Sequence, residues 1–318
     1  MAGDFASART SPGLLIVPPF RDSHMHFLRD GRPVSREVLP EILRAYLQWG
    51  VFSVCDMGHQ SGIGLEAKML PDIDIVSAGY ALYRTGTYGS FLGKAAAGAA
   101  AIERVVAEIA AAGADFVKVV NSGIVLTRGA GIVSEGGFSA EELRVIVAGA
   151  AAHGLRTVCH ANGDGAIRRA LDAGASSIEH GFFITRESLH LMAERTVSWT
   201  PTAHAFASLA RYCPPDEAGH VERILDSHLS SINYAASIGV TLHVGTDSGS
   251  KGVSHGASYI EELRLFLKAG LPLEQVLAAA CMEQEEIDKG NYLVVKSDFI
   301  SSGIIEEIVK GGERVARS

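Results

Sequence analysis

Cysteine is scarce in this chain, and its few copies are scattered. Cys55, Cys159, Cys213 and Cys281 form no C-x-x-C pair, so neither a zinc ribbon nor a disulfide framework is written here. Isolated thiols of this kind fit a reduced, cytoplasmic setting. Long apolar runs are missing too, which leaves no candidate for a membrane-spanning helix. The opening stretch, MAGDFASARTSPG, has no basic segment followed by an apolar one and does not read as a secretory leader. Basic clusters are absent. With 28 Lys and Arg against 36 Asp and Glu, the formal charge is −8, which argues against nucleic acid or an anionic membrane as a partner. The expected partner is a small-molecule substrate.

What is present is a regular grammar. The 318 residues are 47% hydrophobic, enough for one large core. Eight strand-like runs can be marked at 20–27, 51–57, 73–79, 115–121, 156–161, 176–181, 197–202 and 240–247. Helical pattern separates most of them, at 35–49, 95–112, 139–153, 164–173, 186–195 and 216–238, with a further helix at 257–269. Only a short link, around 64–70, joins the second run to the third. Ser139 followed by Glu142 predicts a capping box. The phrases AAGADFVKV, AAHGLRTVCH and DAGASSIEH repeat one order: helix, glycine, short turn, strand. Strands that alternate with helices pair in parallel, and eight such units predict an α/β fold of the (β/α)8 TIM-barrel type over residues 20–285. The ends, 1–19 and 286–318, contain LLIV, YLVVK and IIEEIVKGGERV and are expected to meet in a small β appendage.

The polar residues that end these runs carry the chemistry. His24 and His26 lie two apart in DSHMH, and residues two apart share one face of a strand. Lys118 interrupts the apolar run FVKVV. A buried lysine loses charge, and a neutral amine can take up carbon dioxide as a carbamate whose two oxygens can bridge two metals. His160, His180 and Asp247 end the fifth, sixth and eighth runs. Each alone fits a satisfied core histidine or a capping carboxylate. Together they deliver imidazole, amine and carboxylate to one barrel rim, where active sites are built, and imidazole and carboxylate are common ligands of divalent metals.

These motifs together resemble the amidohydrolase superfamily of metal-dependent hydrolases. AGADFVKVVNSG, VCHANGDGAIRRALDAGASSIEHG and VGTDSG resemble the branch of prolidase-like metallodipeptidases and imidazolonepropionases, and the likeness runs from about residue 15 to residue 314. The resemblance implies two divalent metal ions, with zinc the expected one, although manganese, iron and cobalt suit the same ligands. It implies that His24, His26 and Asp247 hold the more buried ion, that His160 and His180 hold the second, and that carbamylated Lys118 bridges both. A bridging hydroxide would be the nucleophile, and Asp247 the catalytic proton carrier. The expected reaction is hydrolysis of an amide bond in a dipeptide or N-acyl amino acid. Alternatives are a cyclic amidase, a lactonase, a deaminase or a barrel whose site has decayed. The deaminases of the superfamily carry a Glu close behind the strand-five His; here Ala161-Asn162-Gly163-Asp164 follows His160.

Substrate contacts are expected on loops after the strands. Tyr83, Arg84 and Tyr88 follow the third run, Arg128 lies in the glycine-rich loop 122–137, and His204 follows the seventh run. Arg84, Arg128 and His204 are the expected binders of a substrate carboxylate. The stretch GAGIVSEGG reads as a lid with glycine hinges. Relatives begin with several strands of a β-sandwich, whereas nineteen residues precede Phe20 here, so a reduced sandwich and self-association into a homo-oligomer are expected.

Overall fold

In the computed structural model, residues 8–11, 13–128 and 132–316 are described. The opening stretch 1–7, residue 12, the tip 129–131 of the glycine-rich loop and residues 317–318 lie outside the described residues, and so does part of the expected lid.

The fold is mixed α/β, built on parallel sheets. Phe20–Met25, Val51–Asp56 and Asp74–Ser77 form one of three strands. Gly93–Ala96, Ala81–Arg84, Phe116–Val120, Arg156–Ala161, Ser177–His180 and Ser198–Thr200 form one of six, in that order. Val51–Asp56 and Phe116–Val120 are buried at every position, which is why they read as unbroken apolar runs rather than alternating ones. The helices cover the sheets with one face each. Ala99–Ala111 buries Ile102, Val105, Val106 and Ile109, one stripe at helical spacing. Ala140–Ala152 begins with the expected capping box between Ser139 and Glu142.

Two regions depart from the sequence expectation. Chain expected to begin a helix at 95 instead forms the strand Gly93–Ala96, which pairs in parallel with Ala81–Arg84. The segment 240–247 forms no regular strand among the described residues. It still donates and accepts on both sides: Trp199 N to Thr241 O and His243 N to Trp199 O (both 2.9 Å), then Ser23 N to Val244 O (2.9 Å) and Asp247 N to His24 O (2.7 Å). The ladder breaks because Val244 N turns away to Ala279 O, and because the chain at Gly245 presses on its neighbour. A Cβ at Gly245 would lie 2.8 Å from both the backbone N and the Cβ of His24. On the other flank, Asp115 N donates to Ser77 O at 2.9 Å and connects the two sheets.

The chain ends build a separate antiparallel sheet in the order Ala8–Ser11, Leu14–Val17, Tyr292–Lys296, Ile305–Lys310, Glu313–Arg314. Its inner face joins the main core through Leu293, Val295, Ile305 and Ile308. Leu293 is fully buried and fills the space beside Gly50, where an added Cβ would meet its Cδ2 at 2.8 Å. Leu293→Ala should therefore cost about 3 kcal/mol of unfolding free energy in urea titrations. A cost below about 0.5 kcal/mol, the scale of a surface substitution, would show that this sheet does not share the core.

Candidate metal centre

The strand ends converge. His24 closes Phe20–Met25 with His26 just beyond it; a shift of register between Asp22 and Met25 re-aims this end of the strand. Lys118 sits inside Phe116–Val120, His160 inside Arg156–Ala161, and His180 ends Ser177–His180. All six sequence candidates for metal ligation, His24, His26, Lys118, His160, His180 and Asp247, line one cavity of about 350 Å³. One ligand atom each from His24, His180 and Asp247 lie within 4.8 Å of one another. Asp247 Oδ1 is 3.6 Å from His24 Nε2 and 3.4 Å from His26 Nε2. The His24 and His180 ring centres are 4.8 Å apart, and those of His160 and His180 are 4.5 Å apart. His180 and Asp247 hold left-handed backbone angles, φ 66° and 56°. Non-glycine residues adopt such angles only where the surroundings impose them, as at functional sites.

Each imidazole is tied down by one nitrogen. His26 Nδ1 donates to Gly58 O (3.1 Å), and His160 Nε2 donates to Gly123 O (3.0 Å). A carbonyl only accepts, so the proton of each ring is assigned to the anchored nitrogen and the other nitrogen keeps its lone pair. His24 Nδ1 is 2.6 Å from Glu179 Oε2, and His180 Nδ1 is 2.7 Å from Thr202 Oγ1. The opposite nitrogen of His24, Nε2, is buried without a hydrogen-bond partner among the described residues, and so is Lys118 Nζ. Buried orphans of this kind need a partner. Lone-pair nitrogens, a carboxylate and an amine fit a divalent cation.

The electrostatics agree with that fit. Burial, then the charge of Lys118, depresses His26 to about 3 and His160 to about 4; His24 and His180 also fall well below the usual imidazole value, by burial first. The four rings are therefore neutral at pH 7, as ligands must be. Burial lowers the Lys118 amine, against the opposing pull of Glu179 and Asp247. Burial pushes Asp247 up to about 7, with the charge of Lys118 pulling it down. The cavity is thus rich in lone pairs and poor in compensating positive charge.

Of the five residues expected to contact substrate, four are not on the cavity wall. Arg84 donates to Glu142 Oε2 at 3.0 Å, and Tyr83 packs beside Ala81, Leu92 and Val120. Pairing with Gly93–Ala96 makes both of them strand residues rather than loop tips. Arg128 is exposed and outside the lining. His204 lies in the helix Ala203–Ser208, whose Ala205 and Phe206 face the cavity instead. Its backbone N donates to the buried Glu262, which also accepts from Ala203 N and so fixes the turn that carries Thr202. Tyr88 does line the wall, together with Phe91, Phe182, Phe206 and Lys251, four residues that sequence reasoning missed. Loop packing placed these four, and no local signal marks them. Glu179 was missed as well, although a carboxylate inside a buried strand is the same signal as Lys118.

Glu179 is almost fully buried, and its second oxygen accepts from Ser177 Oγ at 2.7 Å. It holds the His24 ring in the tautomer that presents Nε2 to the cavity. Glu179→Gln should weaken divalent-metal affinity about 10- to 100-fold in chelator competition, with the fold intact by circular dichroism. Unchanged affinity would remove Glu179 from that role.

Comparison with known proteins adds three findings. The model of the amidohydrolase family matches residues 15–286. Among curated proteins, ochratoxinase from Aspergillus niger is 28% identical over 312 residues, covering 83% of this chain and 64% of the relative, so this chain spans less than two thirds of that protein. Among solved structures, a Xaa-Pro dipeptidase with methionine bound in its active site aligns with a TM-score of 0.78 at 21% identity, over 99% of this chain and 90% of the other. The A. niger ochratoxinase structure aligns with a TM-score of 0.75 at 21% identity, over 94% and 83%. At these identities the structural likeness is one of fold.

Proposed function

The chain belongs to the amidohydrolase family, and from that premise we propose that it hydrolyses the amide bond of a small substrate such as a dipeptide or N-acyl amino acid. The observation that carries the reading is the Nζ of Lys118, buried without a hydrogen-bond partner among the described residues in a cavity shared with four imidazoles, each anchored through one nitrogen. The names of the relatives, a dipeptidase among them, support cleavage of a peptide-like bond. In this reading the two sheets and the segment 240–247 close into a (β/α)8 barrel.

His24, His26 and Asp247 would hold one divalent ion and His160 and His180 a second, with zinc the expected metal. Burial favours the uncharged form of the Lys118 amine, which would add to carbon dioxide: an N–C bond would form, a proton would leave, and the carbamate, one negative charge shared by two oxygens, would be a ligand for the ions. Two such ions, when bound, lower the pKa of water and polarise a scissile carbonyl. Asp247 Oδ1 faces His24 and His26, so Oδ2 is the atom that takes a proton from water and returns it to the departing amine. The apolar wall around the mouth limits access of bulk water and strengthens each charge inside.

The test is a panel of dipeptides, N-acyl amino acids and lactones, assayed with zinc-, manganese- and cobalt-loaded enzyme. Amide turnover is expected; lactone turnover with every amide inert would sink the reading. Lys118→Met should lower the metal content from two ions to one or none, measured by atomic absorption after growth with bicarbonate. Two ions retained in that variant would exclude the carbamate bridge. Asp247→Asn should lower kcat about 10²–10⁴-fold, the usual worth of a general acid–base group, while the protein still folds. Near-normal turnover would remove Asp247 from the mechanism.

A further inference from the structure

The walls of the cavity are unlike its floor. Phe182 and Phe206 meet with ring centres 4.7 Å apart. Behind Phe182 the His228 ring stacks at 3.8 Å, and His228 Nε2 donates to Pro201 O at 3.1 Å. Phe182 is therefore backed by His228 on one face and tilted against Phe206, and the two phenyl rings form an apolar wall. Tyr88 and Phe91 close the opposite side as an edge-to-face pair, and Phe91 is partly exposed at the rim. A substrate group that fills this space is bulky and apolar.

Beyond the imidazoles, two cationic side chains line the cavity, Lys118 at the floor and Lys251 at the mouth. On the amide-hydrolase reading the floor is taken up by the two ions and the scissile amide, so a substrate carboxylate bound there would displace the reacting group. Against the Phe182–Phe206 wall the carboxylate would be buried unpaired, which is strongly unfavourable. Lys251 remains. Its Nζ lies 4.5 Å from the centre of the Tyr212 ring and forms no ion pair among the described residues. Its position is coupled to the metal centre, because the turn that carries it starts at Asp247. Ser250 N donates to Asp247 O (3.3 Å), and Gly252 N donates to Asp30 Oδ1 (3.2 Å). An ammonium on an aromatic face keeps donors free for an incoming anion.

We propose that Lys251 is a specificity-determining residue that holds a substrate carboxylate at the cavity mouth while the Phe182–Phe206 and Tyr88–Phe91 walls take a bulky apolar group beside the scissile amide. This rests on the amide-hydrolase reading. It names the substrate class as amides that combine an aromatic or large aliphatic group with a free carboxylate, bound with the carboxylate outward.

The probes are N-benzoyl-L-phenylalanine and its C-terminal carboxamide, with metal-loaded enzyme. The wild type should favour the carboxylate form about fivefold in kcat/KM, mostly through KM, the scale of one partly screened charge pair. Lys251→Met should bring the two compounds together by raising KM for the carboxylate form, and Lys251→Glu should reverse the order. N-acetylglycine, which lacks the rings, should have a kcat/KM at least about tenfold lower than N-benzoyl-L-phenylalanine. A preference that survives in Lys251→Met, or a wild type that treats both compounds alike, overturns the assignment. A wild type that cleaves neither compound counts against the amide-hydrolase reading, and calorimetry with the same two compounds then decides Lys251 separately. Tighter binding of the carboxylate form to wild type than to Lys251→Met sustains the assignment; equal binding or none overturns it.

Discussion

Lys118 sits where a charge is costly. Its strand is buried at every position, its Nζ has no hydrogen-bond partner among the described residues, and it shares one cavity with four imidazole rings. Water cannot solvate the ammonium, and burial lowers its pKa. The same burial keeps the histidines neutral and holds the proton on Asp247 up to about 7. A cluster of this kind contributes little to stability by itself. It makes physical sense as a cage for cations, in which each lone pair finds the positive charge that the protein does not supply.

The cage is held from outside. Glu179, Gly58, Thr202 and Gly123 each engage one nitrogen of one ring. Behind them stand further buried groups: Ser177 on Glu179, and Glu262 on the turn next to Thr202. Asp22 accepts from Thr246 N (2.9 Å) and Thr246 Oγ1 (2.6 Å), and so ties the His24 strand to the residue before Asp247. The left-handed angles at His180, Thr202 and Asp247 are the strain that this network holds in place.

The residues that line the floor of the cavity were legible in the sequence because they break a local rule. A lysine or histidine at the end of an apolar run contradicts burial, and His24, His26, Lys118, His160, His180 and Asp247 all carried that contradiction. The repeated helix–glycine–strand phrases made the parallel pairing legible for the same reason: one period recurs. Segment 240–247 was harder, because its pattern is that of a strand while Gly245 and the contact of Val244 N with Ala279 make it irregular. Gly93–Ala96 was hidden by alanines that suit a helix; pairing with Ala81–Arg84 overrode that propensity. The cavity wall was not legible at all. Phe91, Phe182 and Lys251 come from separate loops and Phe206 from the short helix Ala203–Ser208, and only the folded chain shows that they face one cavity.

That division has a consequence for how one site can be shared by different chemistries. The floor is built on strands and their outer anchors, so its geometry is set by the sheets and resists change. The walls are built on loop and short-helix residues such as Tyr88, Phe182 and Phe206, none of which supplies the hydrogen bond that anchors an imidazole. Arg84 shows the limit from the other side. It ends its strand, next to the loop, but the ion pair with Glu142 draws it to a helix cap. In this chain the cavity wall therefore comes mostly from backbone outside the sheets, while five of the six candidate ligands lie in strands or directly beyond a strand end and the sixth, Asp247, lies in the irregular segment beside them.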